Sequence, residues 1–423
     1  MTDARPFAGI EVVEFGQFIA APFCAQVLAE GGARVIKIEA LEGDPVRQLS
    51  PLAPGETRHF VSRNRGKHSL PLDLRHPSSR TIIDRLLARA DVVLTNFRPG
   101  LAAELGLDYD SLAPRYPRLV VGNVTGFGRR GPDAMLAGMD LVLQARSGFM
   151  AAGGRVDNGV PAAGDSPVAD YTCAMTLAFG VASALLRRTR TGRGGQVDVA
   201  LLMAALVPQN NSMVRVERAD GPTHAEARAR LAELRRTERP FAEQTALMLQ
   251  IRTPGMVSVY YRTFATKDAA IAVACVSPGL QRAFMKALGL TDDVGDARGD
   301  REKEGQHYAA FKPKVEALLA SKTTAEWKAI FDGAGTPASA VLLPFELLDD
   351  EQVRANGFMH DLQHPTLGPV RVLAPPLQMD GPGFVPGPAT PAFASETRAI
   401  LKELGFSDAE VDGFVAARAT RAS

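Results

Sequence analysis

Short apolar strands that alternate with helices constrain this chain more than any other feature. Residues 10–15 (IEVVEF), 34–38 (RVIKI), 91–94 (DVVL) and 119–123 (LVVGN) read as strands, with helical patterns at 20–30 and 78–90 between them. Strands so short and so apolar, parted by helices, imply a parallel sheet covered on both faces. Right-handed crossovers follow. The expectation is an α/β fold.

Composition narrows the function classes. The 423 residues are 46% hydrophobic and 22% charged, enough to bury sizeable cores. Forty-eight basic against 47 acidic residues leave a net charge of +1, which argues against a nucleic-acid footprint. Cys24, Cys173 and Cys275 form no disulfide scaffold and no zinc spacing. No uninterrupted apolar run approaches the ~18–20 residues of a membrane helix. The most apolar stretch, 175–186, runs into Arg187, Arg188 and Arg190. The expectation is a cytoplasmic enzyme with no metal and neither nucleic acid nor membrane as partner.

Texture changes near Arg215. Residues 225–243 carry alternating charges and read as an exposed helix or a linker. After Pro254 come strands at 257–261 and 270–276 and helices near 280–288, 307–319 and 324–332, a small α/β unit. Prolines and glycines then crowd 365–388, which cannot form an ordinary helix and is expected to run extended over another surface. A final helix is expected at 395–404, stopped by Gly405. The domain reading is therefore 1–215 as a large domain, 216–255 as linker, 256–333 as a small domain, and 334–423 as a return to the large one.

Three segments carry candidate chemistry. The turn 16–22 (GQFIAAP) follows a strand and opens a helix, and Glu39 ends the next strand, as in a dinucleotide-binding unit. Only Gly16 of the glycine fingerprint is present, so a nicotinamide dehydrogenase is disfavoured, although the helix N-terminus suits a phosphate. Asp170 precedes an apolar helix at 172–186. Aspartate is a favoured N-cap, and the same position keeps a carboxylate ionised and placed for nucleophilic attack. Asp165 is its rival. The turn TGRGGQVDV at 191–199 is by itself a helix C-cap with basic decoration.

Taken in order, QFIAAP at 17–22, VIKIE at 35–39, GDP at 43–45, NRGKHSLPLDL at 64–74, NFRPG at 96–100, TGFGRRGP at 125–132 and TGRGGQVDVALL at 191–202 resemble the family III CoA-transferases, the formyl-CoA and carnitine CoA-transferase group. GTPA at 335–338, DEQ at 350–352, GF at 357–358 and HP at 364–365 extend the resemblance over nearly the whole chain.

The resemblance implies a Rossmann-like large domain built from both chain ends, a smaller α/β domain between them, and two chains interlocked as a homodimer. It implies an acyl-CoA:carboxylate CoA-transferase acting through an aspartyl mixed anhydride and an aspartyl-CoA thioester, with Asp170 as nucleophile. Coenzyme A enters as a thioester substrate, and no tightly bound cofactor is implied. Gln17, Phe18, Ile19, Ala20, Lys67, Asn96, Phe97, Arg98, Gly138 and Met139 are the implied CoA-site residues, with oxyanion donors from the amides near Asp170 and Gly138. The alpha-methylacyl-CoA racemase branch has a histidine where this chain has Met139. Methionine moves no proton, which disfavours an isomerase. Arg47, Arg58, Arg63, Arg65, Arg98 and Arg129 are candidates for gripping a second carboxylate of the acid.

Overall fold

A computed structural model describes residues 3–251 and 258–422. The chain divides into two units, Met1–Arg215 with Gln352–Ser423, and Val216–Glu351.

The first unit is built on six parallel strands: β1 (Glu11–Glu14), β2 (Arg34–Glu39), β3 (Lys67–Pro71), β4 (Val92–Thr95), β5 (Val120–Thr125) and β6 (Gly195–Ala200). Their order, read from one edge, is 3-2-1-4-5-6. That is the doubly wound order of nucleotide-binding sheets, and its topological switch point lies between β1 and β4. Strand residues alternate between the faces. Val12, Val35, Val92 and Val120 meet α1 (Ala20–Glu30) and α4 (Val168–Thr191), through residues such as Leu28, Cys173 and Leu177. Val13, Ile36, Val93 and Val121 meet α2 (Pro77–Arg89) on the other face, with Ile82, Ile83 and Leu86. That second face also receives α10 (Thr397–Glu403) and α11 (Asp408–Ala416), which bury Ile400, Leu401 and Val411 there.

The helix expected at 395–404 is thus the shorter α10, and it is not the last. The chain restarts after Gly405 through a capping box, Ser407 with Glu410, that opens α11. Among the described residues one helix, α4, is long and apolar enough to cross a membrane. Its Ala169, Cys173, Ala174, Leu177 and Val181 lie in the core between sheet and α1, so it is a core helix.

The proline-rich segment folds partly as an antiparallel hairpin, Met359–His364 with Gly368–Leu373. From the end of the hairpin to α10 the chain runs without helix or strand over the first unit. Val385 N–H bonds the Glu30 carbonyl, Gly66 N–H bonds that of Pro388, and Phe384 packs edge-on against Phe7.

The second unit has a three-stranded antiparallel sheet: β7 (Tyr261–Ala265), β8 (Ala270–Ala274) and β9 (Ala338–Ala340). Helices α7 (Pro278–Leu288), α8 (Arg301–Leu319) and α9 (Thr324–Gly333) cover it around Phe284, Val315, Trp327 and Phe331. The strand expected at 257–261 starts only at Tyr261, and Val257 lies outside the described residues. β9 pairs with β8, so the chain stays in this unit to Glu351, past the expected 333. The stretch expected as a linker forms two helices, α5 (Glu217–Arg236) and α6 (Phe241–Ile251).

Candidate active site

The site grows from the carboxyl ends of β1 and β4, where a doubly wound sheet leaves a crevice. The chain leaving β1 is held to the chain leaving β4 by a two-way clasp. Gln17 N–H donates to Asn96 Oδ1 at 2.9 Å, and Asn96 Nδ2 donates back to the Gln17 carbonyl at 2.7 Å. Phe18 sits at φ 64, the left-handed region a bulky residue rarely adopts. Such strain persists where surrounding structure imposes it, commonly at ligand sites.

The clasp borders a cavity of about 800 Å³, within the range of small-molecule sites. Gln17, Phe18, Ala20, Asn96, Phe97, Arg98, Gly138, Met139 and Asp170 line it together. Ile19 is the residue before α1 and is not in this lining. A second cavity of about 380 Å³ adjoins through Gln17 and Phe97 and reaches Leu72, Asp73 and Arg75 beyond β3. One wall of the larger cavity depends on two glycines. A Cβ on Gly138 would stand 2.5 Å from the Gly126 Cα, so the two loops cross with no room for a side chain.

Asp170 is in the first turn of α4, three residues after the N-cap Pro167. The helix therefore starts earlier than the sequence pattern suggests, and Asp170 does not cap it. Its backbone N–H donates to Asp140 Oδ1 at 3.1 Å, so that amide is taken and unavailable to an oxyanion. Asp140 opens α3 (Asp140–Arg146), and its other oxygen is held by Gln144 Nε2. The Asp170 carboxyl is pushed up to about 7, by burial first, then by Asp140, with Arg63 opposing. The rival Asp165 is fully exposed beside Arg155 at 3.7 Å.

Lys67 is elsewhere, which corrects its reading as a phosphate ligand. Its side chain is fully buried and bonded to Glu14 Oε2 at 2.7 Å, Asn64 Oδ1 at 2.8 Å and the Pro22 carbonyl at 2.8 Å. Burial pushes its pKa down to about 8, against the pull of Glu14. Glu14 also holds Lys37 at 3.1 Å, beneath α1. Its charge thus belongs to a buried structural network. Glu39 is buried on Arg47 and Ser69 and is not free for a ribose. Among the candidate arginines, Arg47, Arg65 and Arg129 hold Glu39, Glu30 and Asp198. Arg98 lines the cavity and Arg58 is exposed. The sequence reading missed Asp140 and Gln144. The only signal was Asp140 directly after Gly138 and Met139, in a stretch read for its methionine.

The fold and site define an α/β protein with a doubly wound sheet, whose strand-end crevice has a clasped turn and a desolvated carboxylate in its wall. The family model for CoA-transferase family III matches residues 7–397, and the chain belongs to that family. A cinnamoyl-CoA:phenyllactate CoA-transferase of Clostridium sporogenes is 31% identical over 422 residues, covering 96% of this chain and 95% of that one. A human alpha-methylacyl-CoA racemase is 30% identical, covering 95% and 94%. A solved Mycobacterium tuberculosis structure superposes with a TM-score of 0.76 at 27% identity, over 94% of this chain and 99% of that one. The enzyme is a CoA-transferase, and CoA thioesters are the substrates of its family.

Proposed function

We propose that the protein moves CoA from an acyl-CoA donor to a carboxylic acid, with Asp170 as nucleophile. One observation carries this: Asp170 is the desolvated carboxylate in the wall of the larger cavity, at the start of α4. The N-terminus of the helix favours its anion.

An Asp170 oxygen attacks the thioester carbonyl carbon. The C–S bond breaks, its electron pair leaves with CoA as thiolate, and a mixed anhydride forms. Thiolate then attacks the Asp170 carbonyl carbon and expels the donor acid as carboxylate, leaving an aspartyl thioester. The acceptor carboxylate attacks that thioester and releases thiolate. Thiolate attacks the acceptor carbonyl of the new anhydride, giving the new acyl-CoA and restoring Asp170. Two easier exchanges replace one hard one. Each step conserves charge and moves no proton. That suits a lining which, among the described residues, includes no histidine and has Met139 beside Asp140.

Gln17, Phe18, Ala20, Asn96, Phe97 and Arg98, which line the cavity, hold the nucleotide part of CoA, with Ile19 shaping the turn from behind. The working form is a homodimer of interlocked chains in the cytoplasm. Exposed Val341, Leu342, Leu343, Phe345 and Leu348, apolar positions crowded into eight residues at an open surface, support an interface there. The test is incubation with an acyl-CoA and a second acid in deuterated water. Thioester exchange without deuterium at the alpha carbon is expected. Deuterium uptake without exchange would make the enzyme an isomerase.

A further inference from the structure

Among the described residues four arginines are buried: Arg47, Arg63, Arg65 and Arg188. Three hold a carboxylate, Glu39 at 2.7 Å, Glu30 at 2.7 Å and Asp91 at 2.8 Å. Arg63, 7% exposed, holds none within 4 Å. A buried cation without a counter-ion is unfavourable, and guanidinium does not escape by losing its proton. What Arg63 has is Tyr171. Its Nε lies 3.4 Å from the phenol oxygen, and its guanidinium carbon 6.0 Å from the ring centroid. The ring is fixed edge-on against Phe23 at 4.9 Å. Tyr171 follows Asp170 in α4, so Arg63 is anchored one residue from the carboxylate.

We propose that Arg63 is the positioning residue for Asp170, the one buried cation reserved for a charge that comes and goes during the reaction. Between substrates it balances the Asp170 carboxylate. Once Asp170 is acylated, that negative charge resides on CoA thiolate or on an acid carboxylate, and the fixed cation remains to balance it. This rests on Asp170 being the nucleophile.

Arg98, Asp108, Asp110 and Arg129 line the same cavity, and the titratable groups that act on Asp170 or Arg63 come from α3, α4 and the short helix with the residues after it. Asp140 approaches from α3, and Arg63 from the segment after the short helix Arg58–Val61. Cys173 lies one turn along α4, and burial first, then Asp170, pushes its thiol up. His59, on the short helix, is lowered by burial and by Arg63.

The experiment is the pH dependence of kcat/KM for an acyl-CoA, with hydroxylamine trapping at Asp170 followed in parallel. Wild type is expected to rise through about pH 7. Removing the cation raises the proton affinity of Asp170, so Arg63→Gln moves the acid limb to higher pH, and Arg63→Lys brings it back. Tyr171→Phe, which frees the guanidinium, moves the limb the same way by less, and serves if Arg63→Gln does not fold. His59→Gln leaves the limb in place. A limb unmoved in Arg63→Gln, or in Tyr171→Phe if that is the folded variant, overturns the proposal. So does a limb displaced equally by Lys and by Gln. Absence of any hydroxamate at Asp170 in wild type would instead overturn the nucleophile assignment.

Discussion

The carboxylate of Asp140 accepts the backbone N–H of Asp170 at 3.1 Å, so one aspartate both fixes the position of another and opposes its ionisation. The two effects separate by substitution. In Asp140→Asn the amide oxygen still accepts that N–H, while the charge is gone. The neighbour that raises the Asp170 pKa is removed, so the acid limb of kcat/KM moves below about pH 7. An unchanged limb would show that the Asp140 charge does not contribute to it.

The Gln17–Asn96 clasp holds the two turns that border the cavity. Asn96→Ala removes both hydrogen bonds, each worth about 0.5–1.5 kcal/mol net. A rise in KM for acyl-CoA of about tenfold is expected, with Tm close to wild type. An unchanged KM would mean the turns keep their separation without the clasp.

Lys67→Ala is a stability variant. Breaking a buried ion pair from one side costs roughly 3–5 kcal/mol, here softened because Glu14 keeps Lys37. Tm falls by several degrees while the CoA dissociation constant of the folded protein stays as in wild type. Affinity lost at unchanged Tm would return Lys67 to the phosphate site.

Legibility followed the reach of each interaction. The strands at 10–15, 34–38, 91–94 and 119–123 were visible because each is a local apolar run, and each lies within one residue at its start of the strand found. β3 was hidden. Its sequence, KHSLP, looks too polar for a buried strand, and what lets Lys67 be buried is its ion pair with Glu14 on β1, a partner no local pattern reveals. α11 was legible in principle, since its capping box is written at Ser407 and Glu410. The turn at 16–20, Asn96 and Asp170 were singled out because ordered motifs carry them. Asp140 reaches Asp170 only through the packing of α3 on α4, and no spacing rule spans that.

Gly138→Ala tests the crossing of the loops. Its Cβ would meet Gly126 Cα at 2.5 Å, backbone against backbone, so the loops must part. Overpacking costs typically 1–3 kcal/mol, and the shift carries Met139 and Asp140 away from Asp170. Turnover should fall more than stability. Wild-type turnover would show that the crossing does not position the site.

Identifying the residue that becomes acylated tests the central claim most directly. Wild-type enzyme is mixed with an acyl-CoA, quenched with hydroxylamine, digested and read by mass spectrometry. A hydroxamate at Asp170 is expected, absent in Asp170→Asn, which should also abolish exchange. Asp170 is protonated in the folded protein at pH values where the unfolded chain has released that proton. Stability therefore falls as pH rises from about 4 to about 7, and Asp170→Asn should melt no lower than wild type at pH 8. Lost activity would then not be lost folding. A hydroxamate at Asp165, or exchange surviving in folded Asp170→Asn, would contradict the account.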